Sequence, residues 1–160
     1  MKKVVVISAL FILILVAGYY PVTAKVAREP FSVTLPLQVL GCDREWVSGT
    51  IIHQRDCAYS SLGPITVAGV EVEISGVANF NLNSQTFNGS DFGTVILTAT
   101  DGSGTWEGTF AGTATSGLLS NQFVAQGTGD LAGSIVNGSY VEFAPLTGTF
   151  SGEVMVVPAK

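Results

Sequence analysis

On one parity of the segment from Val70 to Asn83 lie Val70, Val72, Ile74, Gly76, Ala78, Phe80 and Leu82; on the other lie Glu71, Glu73, Ser75, Asn79, Asn81 and Asn83. A period of two sustained over this length defines a strand with one packed face and one wet face. Gly76 falls on the packed parity, where a missing side chain permits the sharp bend that a closed or strongly coiled sheet needs. The same pattern recurs elsewhere. Phe31, Val33, Leu35, Leu37 and Val39 alternate, with Pro36 on the opposite parity, which favours an edge or bent strand. Trp106, Gly108, Phe110, Gly112 and Ala114 share one face, as do Phe150, Gly152, Val154 and Val156. Large residues alternating with glycines suit the tapered interior of a small barrel.

Asn83 to Gly93 is polar and contains glycine, so it reads as a loop, followed by a strand from Thr94 to Thr100 and a turn at Asp101-Gly102-Ser103-Gly104. Further strands are expected at Gln122 to Gln126 and Ile135 to Phe143, around a turn at Gly127-Thr128-Gly129-Asp130. No segment after Pro30 carries a helical period of apolar residues. The expected fold is all-β: a single antiparallel β-barrel of about eight strands at the spacing typical of sandwiches and barrels, preceded by a signal-peptide helix. Gly108-Thr109-Phe110-Ala111-Gly112 is echoed by Gly148-Thr149-Phe150-Ser151-Gly152. Two copies are too few for a propeller, so the echo reads as two similar strands of one sheet.

The domain reading is residues 1–24 as a signal peptide, 25–30 as a linker and 31–160 as the barrel. Lys2 and Lys3 precede the apolar run Val4 to Ala17, and Val22-Thr23-Ala24 offers a small-residue cleavage site. The run from Val4 to Tyr20 also just reaches the length of a membrane span, so a retained N-terminal anchor is the alternative. Either way the expected location is secreted or extracytoplasmic, with membrane contact only through residues 1–24. Removing them takes two of the seven basic residues and none of the twelve acids, and the net charge falls from −5 to −7. Such a chain is repelled by nucleic acid and anionic lipid. Cys42 and Cys57 lie in the exported part, where an oxidising compartment favours a disulfide. On the chain-entropy estimate that closure contributes about 3 kcal/mol. A single straight strand from Trp46 to Gln54 would hold the sulfurs apart, so a shorter strand, Ser48 to His53, is expected between them.

From Ala58 to Ala159 the chain has no lysine, arginine, histidine or cysteine. That stretch alone cannot build a phosphate clamp, a histidine-based nucleophilic triad or a zinc site. No catalytic residue, metal or cofactor is therefore assigned. Gly127-Thr128-Gly129-Asp130 lacks the lysine and helix of a phosphate loop and reads as a hairpin turn. Glu71 and Glu73 read as solvated carboxylates on a wet strand face. Asn88-Gly89-Ser90-Asp91 and Asp101-Gly102-Ser103-Gly104 are oxygen-rich but lack calcium-loop spacing, so both read as turns. Asn88-Gly89-Ser90 and Asn137-Gly138-Ser139 are glycosylation sequons.

The glycine-rich blocks Gly104-Thr105-Trp106-Glu107-Gly108-Thr109-Phe110, Gly127-Thr128-Gly129-Asp130-Leu131-Ala132-Gly133 and Gly148-Thr149-Phe150-Ser151-Gly152 resemble the allene oxide cyclase and dirigent superfamily. They are closest to uncharacterised secreted proteins with the same glycine signature. The resemblance implies a small antiparallel eight-stranded barrel that holds an apolar small molecule. It carries over no catalytic residue, because the family's functional acids and arginines have no counterpart here.

The chemically rich segment is Cys42 to Cys57, with Arg44, His53 and Arg55. In one strand His53 and Arg55 share a face and could present positive charge to a carboxylate ligand. A salt-bridged rim is the simpler reading. The ligand-contacting residues expected from sequence are Arg44, His53, Arg55 and Trp106. The first expectation for function is a barrel binding a small apolar or carboxylate molecule. The second is a non-catalytic structural or surface module, and the third a cofactor-free isomerase or cyclase with His53, Arg55 or Glu107 turned inward.

Overall fold

A computed structural model describes residues 27–143 and 147–156. The expected signal peptide lies outside them. No helix among the described residues is long and apolar enough to cross a membrane. Among the described residues nine strands form one antiparallel sheet: β1 (Ala27–Ser48), β2 (Ile51–Ser61), β3 (Ile65–Val67), β4 (Val70–Asn83), β5 (Gly89–Ala99), β6 (Thr105–Thr115), β7 (Leu118–Gly127), β8 (Ser134–Phe143) and β9 (Thr147–Val156). The sheet runs β2-β1-β9-β8-β7-β6-β5-β4-β3, and β2 also pairs with β4, which closes eight of the strands into a ring. The short β3 pairs with the start of β4. Closure leaves few exposed edges, so the backbone groups of nearly every strand are satisfied on both sides.

The long β1 makes closure possible. Its first half, Ala27 to Pro36, pairs with β9, and its second half, from Leu37, pairs with β2. Ala27 to Pro30 are thus strand rather than linker. Pro36 sits at the change of partner, and its carbonyl accepts from the Leu62 amide at 3.0 Å. The segment expected to be one strand between the cysteines is instead a hairpin. Gly49 and Thr50 form its two-residue loop, with Gly49 at φ +60°, a glycine-first turn whose twist matches the flanking strands. Folding back places Cys42 directly opposite Cys57, and the two are disulfide-bonded. The expected geometric conflict disappears because the loop reverses direction halfway.

Inside the ring lie Phe31, Leu35, Val72, Ile74, Val95, Leu97, Trp106, Phe123, Val136, Phe150 and Val154. In the segments beginning at Val70, Trp106 and Phe150 the alternation selects the inner face, although Val70 is half-buried and Val156 exposed, and Glu71, Glu73 and Glu107 are exposed. Phe80 and Phe110 are only half-buried. Glycines on the inner parity make room for large neighbours across the strands. A Cβ on Gly76 would meet Thr94 O at 2.0 Å and the Tyr59 hydroxyl at 2.6 Å; one on Gly93 would meet Val77 O at 1.9 Å and the Phe110 ring at 2.9 Å.

Trp106 is fully buried, and its indole nitrogen donates to Ser134 Oγ at 2.7 Å. Ser134 in turn donates to the Leu131 carbonyl, in the 3-10 turn Gly129–Leu131 that replaces the simple hairpin turn expected there. Ser134→Ala leaves a buried indole N–H without an acceptor, and a loss of about 2 kcal/mol is expected in urea denaturation.

Candidate functional site

The interior site begins with a turn. Ser116 and Gly117, at φ +52° and +83°, form the two-residue hairpin between β6 and β7, the doubly positive form that suits a twisted antiparallel pair. This turn fixes the register that sets Asn121 opposite Gly112, which is itself opposite Asp91 of β5. On the far side Asn121 faces Tyr140, which faces Phe150. Asp91, Gly112, Asn121, Tyr140 and Phe150 thus form one row around the inside of the ring.

Gly112 is the gap in that row. A Cβ there would lie 1.8 Å from Asn121 Oδ1 and 2.3 Å from Ser120 O. Without one, the Asn121 amide reaches across β6 and donates from Nδ2 to Asp91 Oδ2 at 2.7 Å. Both residues are buried, Asp91 at 3% exposure and Asn121 at 6%. The other oxygen of each, Asp91 Oδ1 and Asn121 Oδ1, is buried without a hydrogen-bond partner. Native interiors rarely leave such atoms unpaired, and each represents about 1 to 3 kcal/mol of unmet desolvation.

One row further along, Glu142 also turns inward and accepts from the Tyr140 hydroxyl at 2.5 Å. Tyr59 donates its hydroxyl proton to Thr94 O at 2.8 Å. Burial raises the Asp91 carboxyl to a pKa of about 6; the Glu142 charge adds to the shift and the Asn121 hydrogen bond opposes it. Burial likewise pushes Glu142 upward, against the hydrogen bond from Tyr140. Tyr59 and Tyr140 are both raised, first by burial and then by the neighbouring carboxylates.

These groups border a cavity of about 80 Å³ inside the ring. Its walls are aliphatic and aromatic, including Leu35, Ile74, Phe80, Phe110, Phe123 and Phe150. Among the described residues neither lysine, arginine nor histidine lines it. At the opposite end a wider depression of about 340 Å³ is bordered by Arg28, Trp106, Leu131, Ser134 and Val154. It lacks an unpartnered buried polar atom: Arg28 pairs with Glu153, and Ser134 is held between Trp106 and Leu131. The smaller cavity is the better site because its polar atoms await a partner.

The residues expected from sequence lie elsewhere. A bulge in β2 between Gln54 and Cys57 leaves Asp56 at φ +55°, and Arg55 fills the gap it makes. The Arg55 guanidinium donates to the carbonyls of Gln54 and Phe80 at 2.8 and 2.7 Å and to Asn81 Oδ1 at 2.7 Å. Asn81 Oδ1 also accepts from His53 Nδ1 at 2.8 Å, which sets the imidazole tautomer. The His53 ring stacks on Trp46 at 4.7 Å, with Arg55 above the same indole at 5.2 Å. Trp46 is 44% exposed. Arg44 is exposed and pairs with Asp56 at 2.9 Å. Arg44, His53 and Arg55 line neither cavity, and Trp106, at the other end of the ring, is not brought to them. Glu107, the other residue weighed for an inward position, is exposed.

Sequence reasoning missed Asp91, Asn121 and Glu142. Asp91 carried a usable signal: Asp91, Gly93, Val95, Leu97 and Ala99 share one parity, and extending that alternation backwards turns the carboxylate inward. Among the described residues no group of three or more histidine, cysteine, aspartate or glutamate side chains could hold a metal ion. No protein-family model matches the chain, and no curated protein matches it either.

Proposed function

We propose that this protein is an exported β-barrel that takes up a small apolar molecule in its interior, anchored by hydrogen bonds to Asp91 and Asn121. The observation that carries this reading is the apolar cavity of about 80 Å³ lined by Asp91 and Asn121, each of which holds one buried oxygen without a hydrogen-bond partner. A few convergent polar groups in an otherwise apolar chamber are the usual composition of a ligand site. Export is supported by the disulfide and by the order of charged, apolar and small residues in the first 24 positions. The glycine-rich resemblance to the allene oxide cyclase and dirigent superfamily supports the same architecture.

Size limits the ligand. A cavity of about 150 Å³ is known to take up benzene, and drug-sized molecules need roughly 300 Å³ or more. The occupant is therefore a molecule of few carbons, or the inserted end of a longer one. The same small size favours a second reading, a structural module whose interior is essentially filled by its own side chains. Thermal unfolding with a panel of four- to six-carbon alcohols, amines and hydrocarbons separates the two. A ligand at a hundred times its dissociation constant adds about 2.7 kcal/mol of apparent stability. Stabilisation by at least one compound is expected; stabilisation by none would establish the structural module.

A further inference from the structure

We propose that the molecule held in the interior is a small apolar amine, bound as its ammonium ion with the charge against Asp91. This inference rests on the chamber reading above and specifies its ligand. Two carboxylates, Asp91 and Glu142, face the cavity from β5 and β8, and among the described residues no basic side chain lines it to balance them. A carboxylate ligand would add a third negative group to an apolar enclosure, which Coulomb repulsion and desolvation both oppose.

The hydrogen-bond inventory points the same way. The vacant positions on Asp91 and Asn121 are both acceptors, Asp91 Oδ1 and Asn121 Oδ1. The nearby hydroxyl donors are already spent. Tyr140 gives its proton to Glu142, Tyr59 gives its proton to Thr94 O, and the Asn121 amide is turned to Asp91 Oδ2. Those two tyrosines and Glu142 are the titratable groups that face Asp91 around the cavity, and none can supply the missing proton. A ligand must bring the donors. A hydroxyl brings one; an ammonium brings three and a compensating charge. The walls suit it too, since the rings of Phe80, Phe110, Phe123 and Phe150 can receive a cation or its alkyl stem. The negative charge of the whole chain draws cations toward it.

The test is calorimetric titration of the purified protein at pH 7.5 with isobutylamine, its isosteric alcohol isobutanol and the carboxylate isovalerate. The amine is expected to bind at least tenfold more tightly than the alcohol, and the carboxylate not at all. Asp91→Asn keeps the shape and removes the charge, and amine affinity should fall about tenfold or more, to the level of the alcohol. Glu142→Gln should produce a smaller loss, because its carboxylate is already engaged by Tyr140. Alcohol binding equal to amine binding would overturn the amine assignment and leave the chamber reading in place. Amine binding unchanged in Asp91→Asn would show association with the acidic surface and would also overturn it. Failure of all three compounds to bind would overturn both.

Discussion

Phe150→Ala is expected to lower the unfolding free energy by about 3 to 5 kcal/mol, the range for removing a buried aromatic ring. Phe150 is 3% exposed, stacks on Phe123 at 4.6 Å with the planes 17° apart, and meets Phe31 at 5.3 Å. It stands between Val33 of β1 and Tyr140 of β8 in the sheet, so truncation removes contacts to both flanking strands and, through Phe123, to β7. Closed rings relax poorly into such a gap because each strand is fixed on both sides. The lost volume adds to the existing cavity, so the variant should also accept larger apolar ligands. Urea denaturation measures the first effect, and a loss below about 1 kcal/mol would contradict the packing described here. Phe110 is the weaker site for this experiment, since it is only half-buried at the cavity wall.

Stability is expected to fall as pH rises from about 4 to above 6. The carboxyl of Asp91 has a pKa of about 6 in the folded protein against 3.8 for the free side chain, first because burial disfavours its charge. A raised acid binds its proton more tightly in the native state, so its contribution is fully present below the unfolded pKa and is lost as pH climbs through the folded one. At about 1.4 kcal/mol for each pKa unit, the loss approaches about 3 kcal/mol. Glu142, also raised, acts in the same direction. Asp101 acts oppositely, because hydrogen bonds from Ser103 lower its pKa, but it is exposed in a turn. Asp91→Asn should flatten the profile and raise stability at neutral pH. Denaturation midpoints that climb over this interval, or a slope unchanged in Asp91→Asn, would remove Asp91 as the cause.

What could be read from the chain was the set of faces; what could not was the pairing. Period-two alternation depends on burial alone, and it located Val72, Ile74, Trp106, Phe150 and Val154 inside without knowledge of any partner strand. The failures occur where polar residues point inward or the chain reverses. Asn83 to Gly93 read as a loop because its composition is polar, yet the strand begins at Gly89 and its inward carboxylate is the centre of the site. Gly49 passed unnoticed as a turn because apolar residues flank it on both sides, and the cationic segment was therefore read as one strand. The contact between Asn121 and Asp91 was out of reach for a different reason: it spans three strands and depends on a glycine whose role is to be absent. Arg55 stood out for its rarity in the sequence. Its role is to satisfy carbonyls freed by a bulge, which no local pattern announces.

Because β1 is the partner of both β2 and β9, the first of the described strands waits for the last. The β1–β2 hairpin can form early and locally, and the meander from β4 to β8 can follow step by step. Until Thr147 to Val156 is available, however, the outer edges of β1 and β8 both stay open. Sequence-distant closure of this kind is slow compared with hairpin formation, and open edges are where chains join one another. The intermediate most exposed to misassembly is therefore an almost complete sheet, lacking only the strand that joins β1 to β8.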